Sequence, residues 1–96
     1  MQALDINQLL SINQAVVYTQ IEDEIVMMDP DDGHYHGLNA VGALLFMRLE
    51  QKHMTSKEME AYLETTYALS EDAAMIDVQA FVCDMLEKKF LIPSTH

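Results

Sequence analysis

The stretch Asp29-Pro30-Asp31-Asp32-Gly33-His34-Tyr35-His36-Gly37-Leu38-Asn39-Ala40-Val41-Gly42-Ala43-Leu44-Leu45-Phe46 changes its hydrophobic period midway. Its first five residues make a strong turn signal: proline presets φ, the aspartates hydrogen-bond locally, and glycine accepts φ > 0. His34 to Leu38 then reads as a strand. Asn39 is a good helix N-cap, and Val41, Leu44, Leu45 and Leu49 follow at i, i+3, i+4 and i+8, the stripe of an amphipathic helix. One short segment turns, extends and coils, so strands are expected before it and helices after it.

Toward the N-terminus, Ala15-Val16-Val17-Tyr18 and Ile25-Val26-Met27-Met28 are short β-forming runs. Gln20-Ile21-Glu22-Asp23 can turn between them. With His34 to Leu38 they predict a three-stranded antiparallel meander. Residues 1–12 carry Leu4, Leu9, Leu10 and Ile12. Three readings stay open for them: packing across the sheet, a short added element, or mobility.

Toward the C-terminus, Thr55-Ser56-Lys57-Glu58 has capping-box spacing and opens a second helix with Met59, Tyr62, Leu63 and Tyr67 on its apolar face. Ser70 caps a third helix, with Glu71 and Asp72 in the first turn, where the helix dipole favours acids, and Lys88 and Lys89 near its end. Phe90-Leu91-Ile92 is expected to close that helix, and Pro93 to stop it. The order βββααα predicts one α+β domain spanning 1–96, with three helices packed on a small sheet.

Composition narrows the function. The chain has 96 residues, half of them hydrophobic, with 16 Asp+Glu against 5 Lys+Arg and a net charge of −11. That length supports one modest core. The acidic excess opposes nucleic acid as a partner and suits a basic or neutral peptide or protein surface. The lone cysteine, Cys83, allows no intrachain disulfide and points to a reducing, cytoplasmic setting. The start, MQALDINQLL, lacks the basic residue and the apolar run of a signal peptide. The longest near-apolar run, Ala40 to Met47, is eight residues, so no membrane span is expected.

The third helix is the most informative element. On a helical wheel, Ala74, Val78, Phe81, Val82 and Met85 fill one arc, and Ile76, Cys83, Leu86 and Phe90 fill an adjacent one. Together they cover roughly 220°, against the ~100° that a core-facing stripe requires. Two readings follow. Either the helix is central and buried on both arcs, or one arc packs the core while the other lines a groove for a partner. The strand His34 to Leu38 bears on the choice. It would be an outer strand, it lacks lysine and proline, and it contains Gly37, so nothing blocks pairing with an added chain. A peptide could join there as a further strand and rest its side chains on the third helix.

The string from Asp32 to Phe46 resembles the signature of PqqD-like proteins, the recognition elements for precursors of ribosomally made, modified peptides (RiPPs). In these the last strand ends Tyr-x-x-Leu-Asn and a helix follows at once. The capped helix Thr55 to Tyr67 and the pattern Asp77-Val78-Gln79-Ala80-Phe81-Val82 in the third helix agree with the family in order and spacing. The resemblance covers about residues 14 to 92. It implies a winged helix-turn-helix-like fold with a three-stranded antiparallel sheet and three helices. It implies non-enzymatic binding of a precursor's leader peptide, which is handed to a leader protease, cyclase or other tailoring enzyme. Carried onto this chain, the strand contribution falls on Tyr35, His36, Gly37 and Leu38, largely through backbone groups. The helix contribution falls on Ile76, Ala80, Cys83 and Asp84. The chain departs from the family in two places. Glu50-Gln51-Lys52-His53-Met54 replaces a shorter Asp-Gly turn, and Lys89 stands where a glycine is usual. The Tyr-x-Gly-Leu-Asn-x-x-Gly form is more similar to stand-alone proteins of lasso-peptide pathways than to the pyrroloquinoline quinone pathway protein.

Other chemistry is weaker. His34 and His36 share a strand face and could pair on a metal, but no third ligand is evident. Asp29 to Gly33 fails the EF-hand pattern, because glycine comes at the fifth position and Ala40 stands where the twelfth needs Glu. Cys83 sits in an apolar, acid-flanked helix, which suits a buried or groove-lining thiol better than a nucleophile. No catalytic residue, metal or cofactor is expected. The other class of function that the sequence allows is a regulatory winged-helix domain that dimerises through the same apolar arc.

Overall fold

The computed structural model describes residues 5–29 and 31–94. The elements run β1 (Leu9–Ile12), β2 (Val17–Ile21), β3 (Glu24–Met28), β4 (Tyr35–Gly37), α1 (Ala40–Gln51), β5 (Met54–Thr55), α2 (Ser56–Tyr67), α3 (Glu71–Glu87) and β6 (Leu91–Pro93). The meander is present as a sheet of order β2-β3-β4, antiparallel throughout. Its first strand lies later than Ala15–Tyr18, and its hairpin turns on Glu22 and Asp23 alone, with Glu22 in the left-handed region at φ 56°. Pro30 lies outside the described residues, and the rest of the second turn follows its local chemistry. The Asp29 carboxylate accepts from the Asp31 N–H at 2.8 Å, the Asp32 carboxylate accepts from the His34 N–H at 2.8 Å, and Gly33 takes φ 73°.

The structure adds a second three-stranded sheet, of order β5-β1-β6. Of the readings open for residues 1–12, the short element applies to Leu9–Ile12. This strand is central, pairing with β5 through Leu10↔Met54 and with β6 through Ser11↔Ile92, and Leu10 is buried. Leu4 lies outside the described residues.

The expectation that Phe90-Leu91-Ile92 closes the third helix is overturned. Lys89 adopts φ 62°, its N–H donates to the Leu86 carbonyl at 3.1 Å, and the Phe90 N–H donates to the Met85 carbonyl at 2.9 Å. These two bonds form a Schellman cap that reverses the chain. Phe90 and Leu91 then drop into the core, and Leu91–Pro93 becomes a strand on β1. An apolar run of three residues has no period of its own, so it read as a continuation of the helix.

The other caps follow their local chemistry. The Asn39 side chain accepts from the Gly42 N–H at 2.7 Å, Thr55 and Glu58 complete a reciprocal capping box, and Ser70 accepts from the Ala73 N–H at 3.2 Å. One core joins the layers: Leu10, Ile25, Met27, Leu45, Phe46, Leu49, Met59, Leu63, Val78, Val82, Met85, Phe90 and Leu91 are all buried. Strand β3 alternates as expected, with Ile25 and Met27 inward. The arc Ala74, Val78, Phe81, Val82 and Met85 is the buried face of α3, which packs against α2. Among the described residues, no helix is long and apolar enough to cross a membrane.

Candidate peptide-binding groove

Strand β4 lies at an open edge, because it pairs only with β3. Its register decides which backbone groups are free. His36 stands opposite Met27, the Leu38 N–H donates to the Ile25 carbonyl at 2.9 Å, and the Asp29 N–H donates to the His34 carbonyl at 2.9 Å. Alternate residues of a strand direct their backbone groups to the same side. Residues 34, 36 and 38 therefore bond to β3, whereas the N–H and C=O of Tyr35 and Gly37 face outward.

Beside this edge lies a groove of about 310 Å³, lined by Gly37, Leu38, Asn39, Val41, Gly42, Asp77, Ala80, Phe81 and Asp84. One wall is the junction from β4 into α1. The other is the α3 stripe Asp77, Ala80, Phe81 and Asp84, at i, i+3, i+4 and i+7, which is one helix face. Gly42 lets the walls approach: a Cβ there would stand 3.2 Å from Asn39 Oδ1 and 3.4 Å from Phe81 Cδ1. The floor is apolar and the α3 rim carries two carboxylates. Asp84 is held by Lys88 at 3.0 Å.

Of the residues expected to bind a peptide, Gly37, Leu38, Ala80 and Asp84 meet in this groove. Tyr35 lies further along the edge with its side chain on the outer sheet face, 73% exposed. His36 points inward, and its ring meets Phe90 edge-on with centroids 5.6 Å apart. Ile76 and Cys83 are exposed on the neighbouring face of α3 and do not line the groove. The surplus arc thus divides: Ile76 and Cys83 face solvent, Leu86 is half-buried, and Phe90 is in the core. Val41, Gly42, Asp77 and Phe81 line the groove without having been singled out for it. The i, i+3, i+4, i+7 spacing on α3 was the available signal. The α1 contribution depends on how the chain turns at Asn39.

The histidines behave differently from one another. His34 is exposed, 3.4 Å from the Asp32 carboxylate, while His36 packs on Phe90. Among the described residues, no three His, Cys, Asp or Glu side chains stand together as a metal site.

The second open edge, β2, borders a larger cleft of about 740 Å³ between the β1–β2 region and the end of α1. Its lining is mixed, with Ile12, Val16, Leu49 and Ile92 beside Glu50, Lys52 and His53. Tyr18 closes one side by donating to Glu50 at 2.6 Å, and this bond, with smaller effects of burial and the Glu50 charge, raises the Tyr18 pKa.

Comparison with known proteins identifies the family. Residues 24–91 match the family described as coenzyme PQQ synthesis protein D (PqqD). The match runs from β3 to the first residue of β6 and includes both walls of the groove. Among solved structures, the chain is similar to TbiB1 in complex with the TbiA(beta) leader peptide. The two share 28% identity over 90% of this chain and 99% of that one, with a TM-score of 0.75. It also has the fold of a lasso peptide synthetase B1 complexed with its leader peptide, at 24% identity over 88% and 98% of the two chains, with a TM-score of 0.72. No curated protein matches the chain.

Proposed function

Starting from a chain that belongs to the PqqD family, we propose that it recognises the leader segment of a ribosomal precursor peptide and presents it to a tailoring enzyme. The leader adds as a strand to β4, using the outward N–H and C=O groups of Tyr35 and Gly37. Its alternate side chains settle between Leu38, Val41, Ala80 and Phe81. The observation that carries this reading is the coincidence of an open backbone edge with an apolar groove. Main-chain pairing supplies affinity, and the groove supplies specificity. The likeness to TbiB1, whose structure holds a leader peptide, supports leader recognition, and the Tyr-x-Gly-Leu-Asn-x-x-Gly form of this chain favours a lasso-type pathway with a leader protease or cyclase as the receiving enzyme.

The chain acts as a carrier and not as a catalyst, and it works in the cytoplasm beside the ribosomal product. Dimerisation through the same surface is disfavoured by the net charge of −11 on each copy. The test is fluorescence anisotropy of a labelled leader peptide, from the short reading frame beside this gene, titrated with the protein. Saturable binding that is lost when the leader's apolar anchors become alanine is expected. Failure to bind at tens of micromolar, together with a mass by light scattering that doubles with concentration, would transfer the groove to a dimer interface.

A further inference from the structure

Resting on the leader-binding reading, we propose that Asp77 makes the groove selective for a peptide with a lysine or arginine two residues from its apolar anchor. Asp77 is half-buried on the α3 wall, and its carboxylate makes no hydrogen bond or ion pair among the described residues. The other carboxylate of the rim, Asp84, already has Lys88 at 3.0 Å. No lysine or arginine precedes Arg48 in the sequence, so the β4–α1 wall brings no cation to the groove. The first turn of α1, through Asn39, Val41 and Gly42, borders the same space. A dipole end of about half a charge offsets part of the Asp77 charge, but it does not complete its hydrogen bonding. A carboxylate partly removed from water and left unpaired gains most from a cation arriving with the ligand.

Spacing determines where on the peptide that cation belongs. Asp77 precedes Ala80 and Phe81 by three and four residues, or about 4.5–6 Å along the helix. Side chains on one face of an added strand are about 6.8 Å apart. In the proposed pose the added strand runs along the α3 wall, so when one apolar side chain rests on Leu38, Val41, Ala80 and Phe81, its same-face neighbour two positions away stands beside Asp77. The flexible stem of lysine or arginine spans the small remaining difference. The neighbour on the other side of the anchor approaches Asp84, whose charge Lys88 has answered, so its requirement is weaker. An acidic residue beside Asp77 is repelled.

The test is a selection from a random-sequence peptide display library against the wild-type protein, Asp77→Asn, Asp77→Lys and Glu87→Gln. Glu87→Gln changes the same charge on α3 away from the groove. Wild type and Glu87→Gln should retain peptides enriched in lysine or arginine at one fixed two-residue offset from an apolar residue. Asp77→Asn should lose that enrichment, and Asp77→Lys should replace it with aspartate or glutamate. A selected lysine peptide should bind Asp77→Asn about threefold to tenfold more weakly, and the difference should shrink in about 0.5 M salt. Circular dichroism should be unchanged in Asp77→Asn, since no contact is lost. Apolar-anchored peptides without the cation, or the same cation preference in Asp77→Asn, would overturn the role of Asp77 and leave strand addition standing. A folded wild-type protein that retains no peptide would overturn both.

Discussion

Replacing Gly37 by proline tests the β4 edge, because the register separates binding from folding. The Gly37 N–H faces outward, and a Cβ on Gly37 meets nothing within 4 Å. Proline there deletes no β3–β4 bond, and edge strands tolerate it. The folding free energy should change by less than about 1 kcal/mol, because lost adaptability in the strand is offset by a stiffer unfolded chain. Binding should suffer more. One donor to the leader disappears, and the ring occupies the approach of the incoming strand. About 1–2 kcal/mol is lost, a fall of roughly 5- to 30-fold in affinity. His36→Pro should behave in the opposite way. Its N–H faces Met27, which is buried, and stranding that carbonyl costs on the order of 2 kcal/mol, or about 8–16 °C in Tm for a domain of this size. Gly37→Ala retains the N–H and should bind within about twofold of wild type. The assays are anisotropy with the labelled leader and thermal unfolding by circular dichroism. If Gly37→Pro is folded and binds normally, the leader does not pair with β4, and the β2 edge becomes the alternative.

Lys89→Gly should raise stability by about 0.5–1 kcal/mol, or roughly 2–8 °C in Tm, because glycine occupies φ 62° without the Cβ penalty while the Schellman bonds persist. An unchanged or lower Tm would refute strain at that cap. Tyr18 should release its proton above the ordinary tyrosine range near pH 10, because its bond to Glu50 favours the neutral phenol. The stability linked to this contact is complete below pH 10 and is lost as pH rises through the raised folded value. Ultraviolet titration should show a late tyrosine transition that moves to lower pH in Glu50→Ala. Cys83 is exposed, so it should react with a thiol reagent in the native protein, and Cys83→Asp should alter stability by no more than about 0.5 kcal/mol. Slow reaction or loss of the fold would place Cys83 in the core instead.

Features governed by neighbours in the chain were legible from residues alone. Asn39, Thr55 with Glu58, and Ser70 cap helices because their side chains reach N–H groups three residues away. The Asp29–Gly33 turn closes on its own aspartates, and Ile25 and Met27 face inward because a strand alternates. The helical wheel likewise identified the buried face of α3, since burial follows a period of 3.6 residues. What escaped it depends on residues far apart in sequence. Leu9–Ile12 is the centre of a sheet only because Met54 and Leu91 to Pro93 come beside it. Phe90 and Leu91 leave the helix because Lys89 accepts a left-handed turn that the core beneath rewards. In the groove, Asp77 and Phe81 meet Val41 and Gly42 across a gap that no local pattern encodes. Residue types indicated that α3 had apolar surface to spare and that Tyr35 to Gly37 could take a partner. Packing of α3 against the β4–α1 junction decided that Ala80, Phe81 and Asp77 form the wall, leaving Ile76 and Cys83 outside it.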